Sequence, residues 1–127
     1  MTRLDEAAGL TVADVTHSHI TAFTAAATVA ELRAWFGSSD SHRMALLADG
    51  DRYVGSLLPD DLAGAADDAI AAGFATRGTT VRPDEPAARA EELALGDGTR
   101  RVPVVDGDGR LHGIVAITKD LQGFCGT

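Results

Sequence analysis

Two basic pairs in this sequence have the residue types that bind phosphate. His42 is followed by Arg43, and 58 residues further along the chain Arg100 is followed by Arg101. Arginine presents a planar fork of N–H donors that matches phosphate oxygens, so four potential cations converging in an acidic protein would form a focused anion site. The alternative is solvation at a strand edge or pairing with nearby acids, because isolated surface charges are usually only solvated.

Other side chains that could bind a metal or act in catalysis lack the neighbouring groups that these functions require. The run His17-Ser18-His19 supplies two imidazoles, which are too few for a metal site. The turn at residues 106–109 is acidic but lacks the twelve-residue span and closing Glu of a calcium loop. Cys125 is the only cysteine, and no base or oxyanion-stabilising group is placed beside a nucleophile. We therefore expect no enzyme activity, no metal and no cofactor.

The charge balance restricts the partners of the chain. It has 19 acidic and 11 basic residues, with a formal net charge of -8, and its cations are dispersed. Phosphate backbones and anionic lipid would repel such a chain, so nucleic acid and membrane are not expected as partners. The longest apolar run is far shorter than a membrane span, and the first residues lack the apolar stretch of a secretory signal. These features predict a cytoplasmic protein.

An internal repeat organises the elements that must position the basic pairs. Residues 21–58 align without gaps with residues 79–116, and Gly55 matches Gly113 in this alignment. The order of structural signals is the same in both copies: strand, helix, strand, tight turn, strand and helix. Such self-similarity is typical of two related structural units in one chain.

Turn and capping residues set the predicted limits of these elements. The first copy predicts a strand at 20–23, a helix from Thr28 through Phe36, and a hairpin with strands at 44–47 and 53–58. Pro59 then opens a helix, and the alanine-rich residues 63–75 continue it or form a second one. The second copy predicts a strand at 79–81, a helix capped by Asp84 that runs to about Leu95, a hairpin with strands at 102–105 and 111–117, and a last helix capped by Thr118.

The second copy resembles the CBS (cystathionine-β-synthase) domain. The resemblance is carried by the run from Arg101 to Asp106, Arg-Val-Pro-Val-Val-Asp, followed by a tight turn and the run from Leu111 to Val115, Leu-His-Gly-Ile-Val. It extends over about residues 11–122. It implies an α/β (α+β) fold of tandem CBS repeats, a Bateman module, in which each repeat is a small sheet packed with two helices and the repeats are related by pseudo-twofold symmetry. The predicted organisation is an N-terminal tail at 1–10, repeat 1 at 11–64, repeat 2 at 65–124 and a C-terminal tail at 125–127.

The resemblance also implies where a ligand would bind. Family members often bind adenine nucleotides or adenosyl compounds in clefts between the repeats, where a Thr or Ser three residues after the strand glycine and an Asp six residues after it hold the ribose. In the first repeat these positions are Leu58 and Asp61, so the carboxylate is kept and the hydroxyl is missing. In the second repeat they are Ala116 and Lys119, with Thr118 and Asp120 displaced from the family's positions.

The predicted ligand-binding set therefore combines the basic pairs with residues near the strand ends. Threonines on the first strand of each repeat belong to it, because the family's ligands meet hydroxyl groups there. The full set is Thr21, His42, Arg43, Asp61, Thr79, Thr80, Arg100, Arg101, Thr118 and Asp120.

Two functions follow from the resemblance. The first is a stand-alone regulatory module, commonly a homodimer, that binds AMP, ADP, ATP or an adenosyl compound in the cleft between repeats and controls an unidentified protein in trans. The alternative is a ligand-free scaffold for dimerisation or for docking to a partner protein. The missing hydroxyls at Leu58 and Ala116 favour the alternative.

Overall fold

Short strands and short helices alternate along the chain, as the repeated pattern predicts. The computed structural model describes residues 1–126. The strands are β1 (Thr2–Arg3), β2 (Ala22–Phe23), β3 (Ala45–Asp49), β4 (Arg52–Leu57), β5 (Arg101–Val105), β6 (Leu111–Ala116) and β7 (Gly123–Phe124). The α-helices are α1 (Val12–Val15), α2 (Val29–Gly37) and α3 (Ala87–Gly96), and 3-10 turns occupy Leu4–Glu6, Pro59–Leu62 and Ala71–Phe74.

These elements form two compact units. The continuous unit comprises residues 21–78, and the discontinuous unit combines residues 1–20 with residues 79–126. Each unit has its own core of buried apolar side chains, as expected for a stretch of chain that hides its hydrophobic surface from water.

The continuous unit is a three-stranded sheet covered by one α-helix. Strand β2 runs parallel to β3, and β3 pairs with β4 in an antiparallel hairpin. Helix α2 begins after Thr28, whose hydroxyl accepts a hydrogen bond from the Glu31 N–H at 3.3 Å. This N-cap satisfies a donor that has no partner inside the helix. The core contains Ala27, Val29, Leu32, Ala45, Leu47, Leu57, Leu62 and Ala71.

The discontinuous unit is built around the β5–β6 hairpin. Helix α3 packs against this hairpin, β1 pairs with β7, and Val81 adds a parallel bridge to Val104. All five residues of β5 are buried, which is why the strand reads as a nearly continuous apolar run. The core contains Ala7, Val12, Val15, Val81, Ala87, Ala90, Ala94, Val102, Val104, Val115, Ile117 and Phe124.

The compact units do not coincide with the predicted repeats. The segment that precedes each copy in sequence packs against the other copy. Residues 69–76 precede the second copy in sequence but complete the continuous unit. Residues 10–17 precede the first copy but complete the discontinuous unit. The predicted division at residues 64 and 65 therefore differs from the compact units, which change at 20/21 and at 78/79.

We call residues 10–17 and 69–76 the crossing segments. Backbone hydrogen bonds hold each of them at the start of a helix. The Val29 N–H, at the start of α2, donates to the Ala69 carbonyl at 2.9 Å. The Ala87 N–H, at the start of α3, donates to the Leu10 carbonyl, also at 2.9 Å. The first N–H groups of a helix lack partners within it, so each crossing segment supplies what its helix needs.

The two repeat glycines are required where the crossing segments pass over the hairpins. A Cβ at Gly113 would lie 2.4 Å from the His17 carbonyl oxygen, and a Cβ at Gly55 would lie 2.9 Å from the Thr76 carbonyl oxygen. In both units, the residue after the glycine exchanges two backbone hydrogen bonds with this crossing segment. The match between these glycines therefore reflects close backbone approach.

The structure corrects the predicted tails. Residues 1–10 are not a tail, because β1 pairs with β7, the Leu4 N–H donates to the Gln122 carbonyl at 2.9 Å and Ala7 is buried. In the predicted tail at 125–127, the Cys125 N–H donates to the Ala116 carbonyl at 2.7 Å, while residue 127 lies outside the described residues.

The predicted second helix is reduced to 3-10 turns in the first repeat and is replaced by a turn in the second. The Pro59 helix is a single 3-10 turn, and of residues 63–75 only Ala71–Phe74 is helical, again as a 3-10 turn. After Thr118 the chain makes a turn and enters β7. Glycines interrupt the alanine-rich run, and its Asp67 and Ala69 carbonyls accept N–H groups at the start of α2 instead of continuing a helix.

Candidate functional site

Strand directions gather the predicted site residues of the continuous unit at one sheet edge. Because β2 is parallel to β3 and β4 is antiparallel to it, the starts of β2 and β3 lie beside the end of β4. Thr21 precedes β2, His42 and Arg43 precede β3, and Asp61 follows β4. We call this edge of each unit the strand-start edge.

The discontinuous unit repeats this arrangement. Val81 bridges Val104 in parallel, so Thr79 and Thr80 lie toward the start of β5, and Arg101 at that start pairs with Ala116 at the end of β6. The strand-start edge of this unit therefore holds Thr79, Thr80, Arg100, Arg101, Thr118 and Asp120.

His42 is fixed on the C-terminal end of α2. Its ring stacks on Trp35, with centroids 4.0 Å apart and planes 5° from parallel, and its Nδ1 lies 2.7 Å from the Trp35 carbonyl oxygen. A carbonyl oxygen can only accept, so Nδ1 carries the proton in this bond. Sequence reasoning did not foresee this stack, which becomes apparent only when the loop after α2 folds back over the helix.

Asp61 combines exposure with one structural contact. Its Oδ2 accepts the Leu58 N–H at 2.7 Å, and this hydrogen bond closes the turn after β4. Asp61 is otherwise exposed. A carboxylate has two oxygens with several lone pairs, so this contact leaves acceptor capacity for ligand hydroxyls.

Thr118 and Asp120 form a compact turn of their own. The Thr118 hydroxyl donates to Asp120 Oδ1 at 2.6 Å, and the same oxygen accepts the Gln122 N–H at 3.2 Å. These hydrogen bonds, the Thr118 contact first, lower the pKa of Asp120 below its usual value. Between them lies Lys119, which is exposed.

The two arginines of the second basic pair have different environments. Arg101 is only 9% exposed, and its Nη1 donates to the carbonyls of Arg100 and Ile117 at 3.1 and 3.2 Å. It therefore holds the end of β6 against the start of β5, a structural position that differs from the predicted phosphate-facing one. Arg100 is half-buried, with a positive φ of 60° that is uncommon outside glycine.

A third guanidinium, which sequence reasoning did not single out, organises the continuous unit. The Nη2 of Arg33, on α2, donates to the carbonyls of Leu62 and Ala65 at 2.8 Å each. Its Nη1 forms an ion pair with Asp67. One helix residue thus fixes the irregular chain that follows the Pro59–Leu62 turn.

An open groove of about 400 Å³ lies at the opposite end of β5. It is lined by Arg82, Pro83, Asp84, Asp106 and Gly107. Arg82 pairs with Asp84 at 3.2 Å, and Asp106 Oδ2 lies 2.8 Å from His112 Nε2. The His112 hydrogen bond, with two backbone N–H donors, lowers the pKa of Asp106 to about 2. None of the predicted site residues lines this groove.

Metal-binding clusters and membrane-spanning helices are both absent from residues 1–126. No group of three or more His, Cys, Asp or Glu side chains in this span is arranged to hold a metal ion. No helix in the same span has the length and hydrophobicity needed to cross a lipid bilayer.

Comparison with known proteins identifies the class of fold. Residues 73–119 match the CBS domain family. A CBS domain pair/ACT domain protein from Thermotoga maritima superimposes with a TM-score of 0.73 at 20% identity, covering 84% of this chain and 89% of that chain. A search of curated proteins gave no match.

Two similar structures were solved with nucleotides. CBSX2 in complex with AMP has a TM-score of 0.72 at 22% identity, covering 85% of this chain and 90% of that chain. The cytosolic domain of the Mg²⁺ channel MgtE in complex with ATP has a TM-score of 0.66 at 26% identity, covering 80% of this chain and 44% of that chain.

These findings confirm the resemblance and the α/β fold class. The chain has the fold of CBS domain pairs, and its residues 73–119 match the CBS domain family.

Proposed function

We propose that this chain is a regulatory module that binds an adenine nucleotide or a similar anionic small molecule and catalyses no reaction. The observation that carries the proposal is that the strand-start edge of each unit gathers hydroxyl, cationic and carboxylate groups from separate parts of the sequence. The AMP and ATP complexes of CBSX2 and MgtE support it by fold-level analogy.

Each group has a proposed role. Asp61 accepts hydrogen bonds from ribose hydroxyls, and Arg43 and Arg100 contact phosphate oxygens. His42 adds a ring whose orientation Trp35 already fixes, so little conformational entropy is lost when a ligand contacts it. The hydroxyls of Thr21, Thr79, Thr80 and Thr118, with the carboxylate of Asp120, contact the sugar or base.

Binding would regulate a partner by shifting an equilibrium. A ligand that binds one arrangement of the chain better than another moves the population toward that arrangement. We place the module in the cytoplasm, as a homodimer that acts in trans on a second protein.

A thermal-shift titration with AMP, ADP, ATP and S-adenosylmethionine tests the proposal. A ligand present at one hundred times its Kd stabilises the native state by about 2.7 kcal/mol, which raises the melting temperature of a chain of this size by about 10 °C. Asp61→Asn and Arg100→Gln should weaken the response. Arg52→Gln, which changes an exposed arginine in the β3–β4 hairpin, should leave it intact. The absence of any shift with all four ligands would refute nucleotide binding.

A ligand-free scaffold is the alternative, and two observations favour it. Leu58 and Ala116 lack the hydroxyl that the family uses for ribose. Ile70 and Phe74, four residues apart, are 50% and 39% exposed and offer apolar surface to a partner. If Ile70→Ser combined with Phe74→Ser dissociated an oligomer in sedimentation velocity and no nucleotide altered the melting temperature, the scaffold function would replace the regulatory one.

A further inference from the structure

The two strand-start edges carry opposite charge balances. In the discontinuous unit, this edge contains Arg100 and Lys119 and one exposed carboxylate, that of Asp120. In the continuous unit, the turn after β4 instead contains the exposed carboxylates of Asp60 and Asp61, which outnumber the guanidinium of Arg43 at the same edge. Because phosphate is anionic, the first edge attracts it more strongly than the second.

Lys119 is the residue that creates this difference. It is the only lysine in the chain, and the 58-residue repeat aligns it with Asp61. The same turn position thus carries a carboxylate in one unit and an ammonium group in the other. A cation at this position is suited to phosphate, whereas a carboxylate is suited to hydroxyl groups.

The charges of Lys119 and Arg100 are not neutralised by acidic partners. Within residues 1–126 neither side chain forms an ion pair, whereas several other arginines do. Those arginines are Arg3, Arg33, Arg82 and Arg89. A cation without a counter-ion is available to an anionic ligand at no cost of breaking an existing pair.

Backbone and side-chain contacts hold the two cations at neighbouring strand ends. The Ile117 N–H donates to the Arg100 carbonyl at 2.9 Å, which ties the turn carrying Lys119 to the start of β5. Asp120, the adjacent acid, already accepts the Thr118 hydroxyl and the Gln122 N–H. These donors offset part of its negative charge and weaken its repulsion of an anion.

We propose that Lys119, together with Arg100, makes the strand-start edge of the discontinuous unit a phosphate-selective site, and that Lys119 determines specificity for phosphorylated over unphosphorylated ligand. The inference deepens the proposed function and rests on it for the adenine part of the ligand. The strand-start edge of the continuous unit, where Asp60 and Asp61 offset the charge of Arg43, selects phosphate less strongly.

Affinity measurements with AMP and adenosine test the specificity. Lys119→Gln should weaken AMP binding about fivefold and Lys119→Asp about 25-fold, while adenosine affinity changes less than twofold in both. Arg52→Gln is the matched control, because it removes one exposed positive charge that is unpaired within residues 1–126 but lies in the other unit's hairpin. If wild type binds AMP and Lys119→Gln changes AMP and adenosine affinities equally, the specificity role is overturned and the proposed function stands.

Amine labelling gives a second readout that does not depend on adenine. The side chain of Lys119 and the N-terminal amine are the only amines in the chain, so acetylation followed by mass spectrometry reports each separately. Tripolyphosphate should slow acetylation of Lys119 at least fivefold and leave the N-terminal amine unaffected. Adenosine should protect neither amine.

The outcomes separate the two proposals. Protection of Lys119 by tripolyphosphate without any nucleotide-induced thermal shift would refute adenine-nucleotide binding and support the phosphate site. No protection by tripolyphosphate or AMP, together with no thermal shift, would overturn both.

Discussion

Adding one methyl group at Gly113 should destabilise the discontinuous unit strongly. In Gly113→Ala the new Cβ would lie 2.4 Å from the His17 carbonyl oxygen and 2.7 Å from Thr16 Cγ2. Forcing extra volume into a packed region costs about 1–3 kcal/mol. Moving His17 away would also weaken its two backbone hydrogen bonds with Ile114, at 2.8 and 3.1 Å, which contribute about 1 kcal/mol each.

The expected total is about 3 kcal/mol, a large part of the stability of an ordinary domain. For a chain of this size it corresponds to a melting temperature about 10 °C lower, measured by far-ultraviolet circular dichroism. Gly107→Ala is the matched control, because a Cβ there meets nothing within 4 Å, and it should melt within about 2 °C of wild type. Gly113→Ala melting at the same temperature as this control would refute the close crossing of His17 over β6.

Gly55→Ala applies the same test to the continuous unit. Its Cβ would lie 2.9 Å from the Thr76 carbonyl oxygen, a less severe approach, so we expect about half the loss. The single tryptophan, Trp35, lies in this unit, so its fluorescence gives the melting curve. A loss larger than that of Gly113→Ala would contradict the ranking of the two contacts.

Three further predictions concern side chains. Arg101→Met should lower the free energy of unfolding by about 2 kcal/mol in urea titration, because the Ile117 carbonyl loses the donor that the buried guanidinium supplies. An effect below about 0.5 kcal/mol would contradict the structural position of Arg101. The Asp106 carboxylate stabilises the fold above its unfolded pKa of 3.8, and this contribution is lost as pH falls toward its folded pKa of about 2. The difference in melting temperature between wild type and Asp106→Asn should therefore narrow between about pH 4 and 2, and a constant difference would be inconsistent with the His112 hydrogen bond. His42→Ala should shift Trp35 emission to longer wavelength by uncovering one face of the indole, whereas an unchanged spectrum would argue against the stack.

Local signals predicted the hairpins and the two longer helices well. Helix α2 begins after the predicted cap Thr28 and ends one residue beyond Phe36. Helix α3 ends at Gly96, close to the predicted Leu95, but it begins after Pro86 instead of Asp84. Capping and turn chemistry acts over a few residues, so a single sequence is enough to read it.

The crossing segments could not be predicted in the same way. Val29 receives its acceptor from Ala69 and Ala87 receives its acceptor from Leu10, contacts that join residues far apart in sequence. The alanine-rich run suggested a helix by propensity, but tertiary hydrogen bonds, including those of Arg33, outweighed that preference.

The candidate site was predictable in position but not in detail. The repeat aligned the two strand-start edges, and strand direction then brought their residues together. Burial of Arg101 and the stacking of His42 depend on side-chain packing that no local pattern records.

The division of the chain into one continuous and one interrupted unit sets an order for folding during synthesis. Residues 21–78 can complete their hydrogen bonds once that stretch has left the ribosome. Residues 1–20 emerge before this stretch and yet must wait, because the strand that pairs with Thr2 and Arg3 is translated more than a hundred residues later. A segment that is translated before the continuous unit is thus completed only after it.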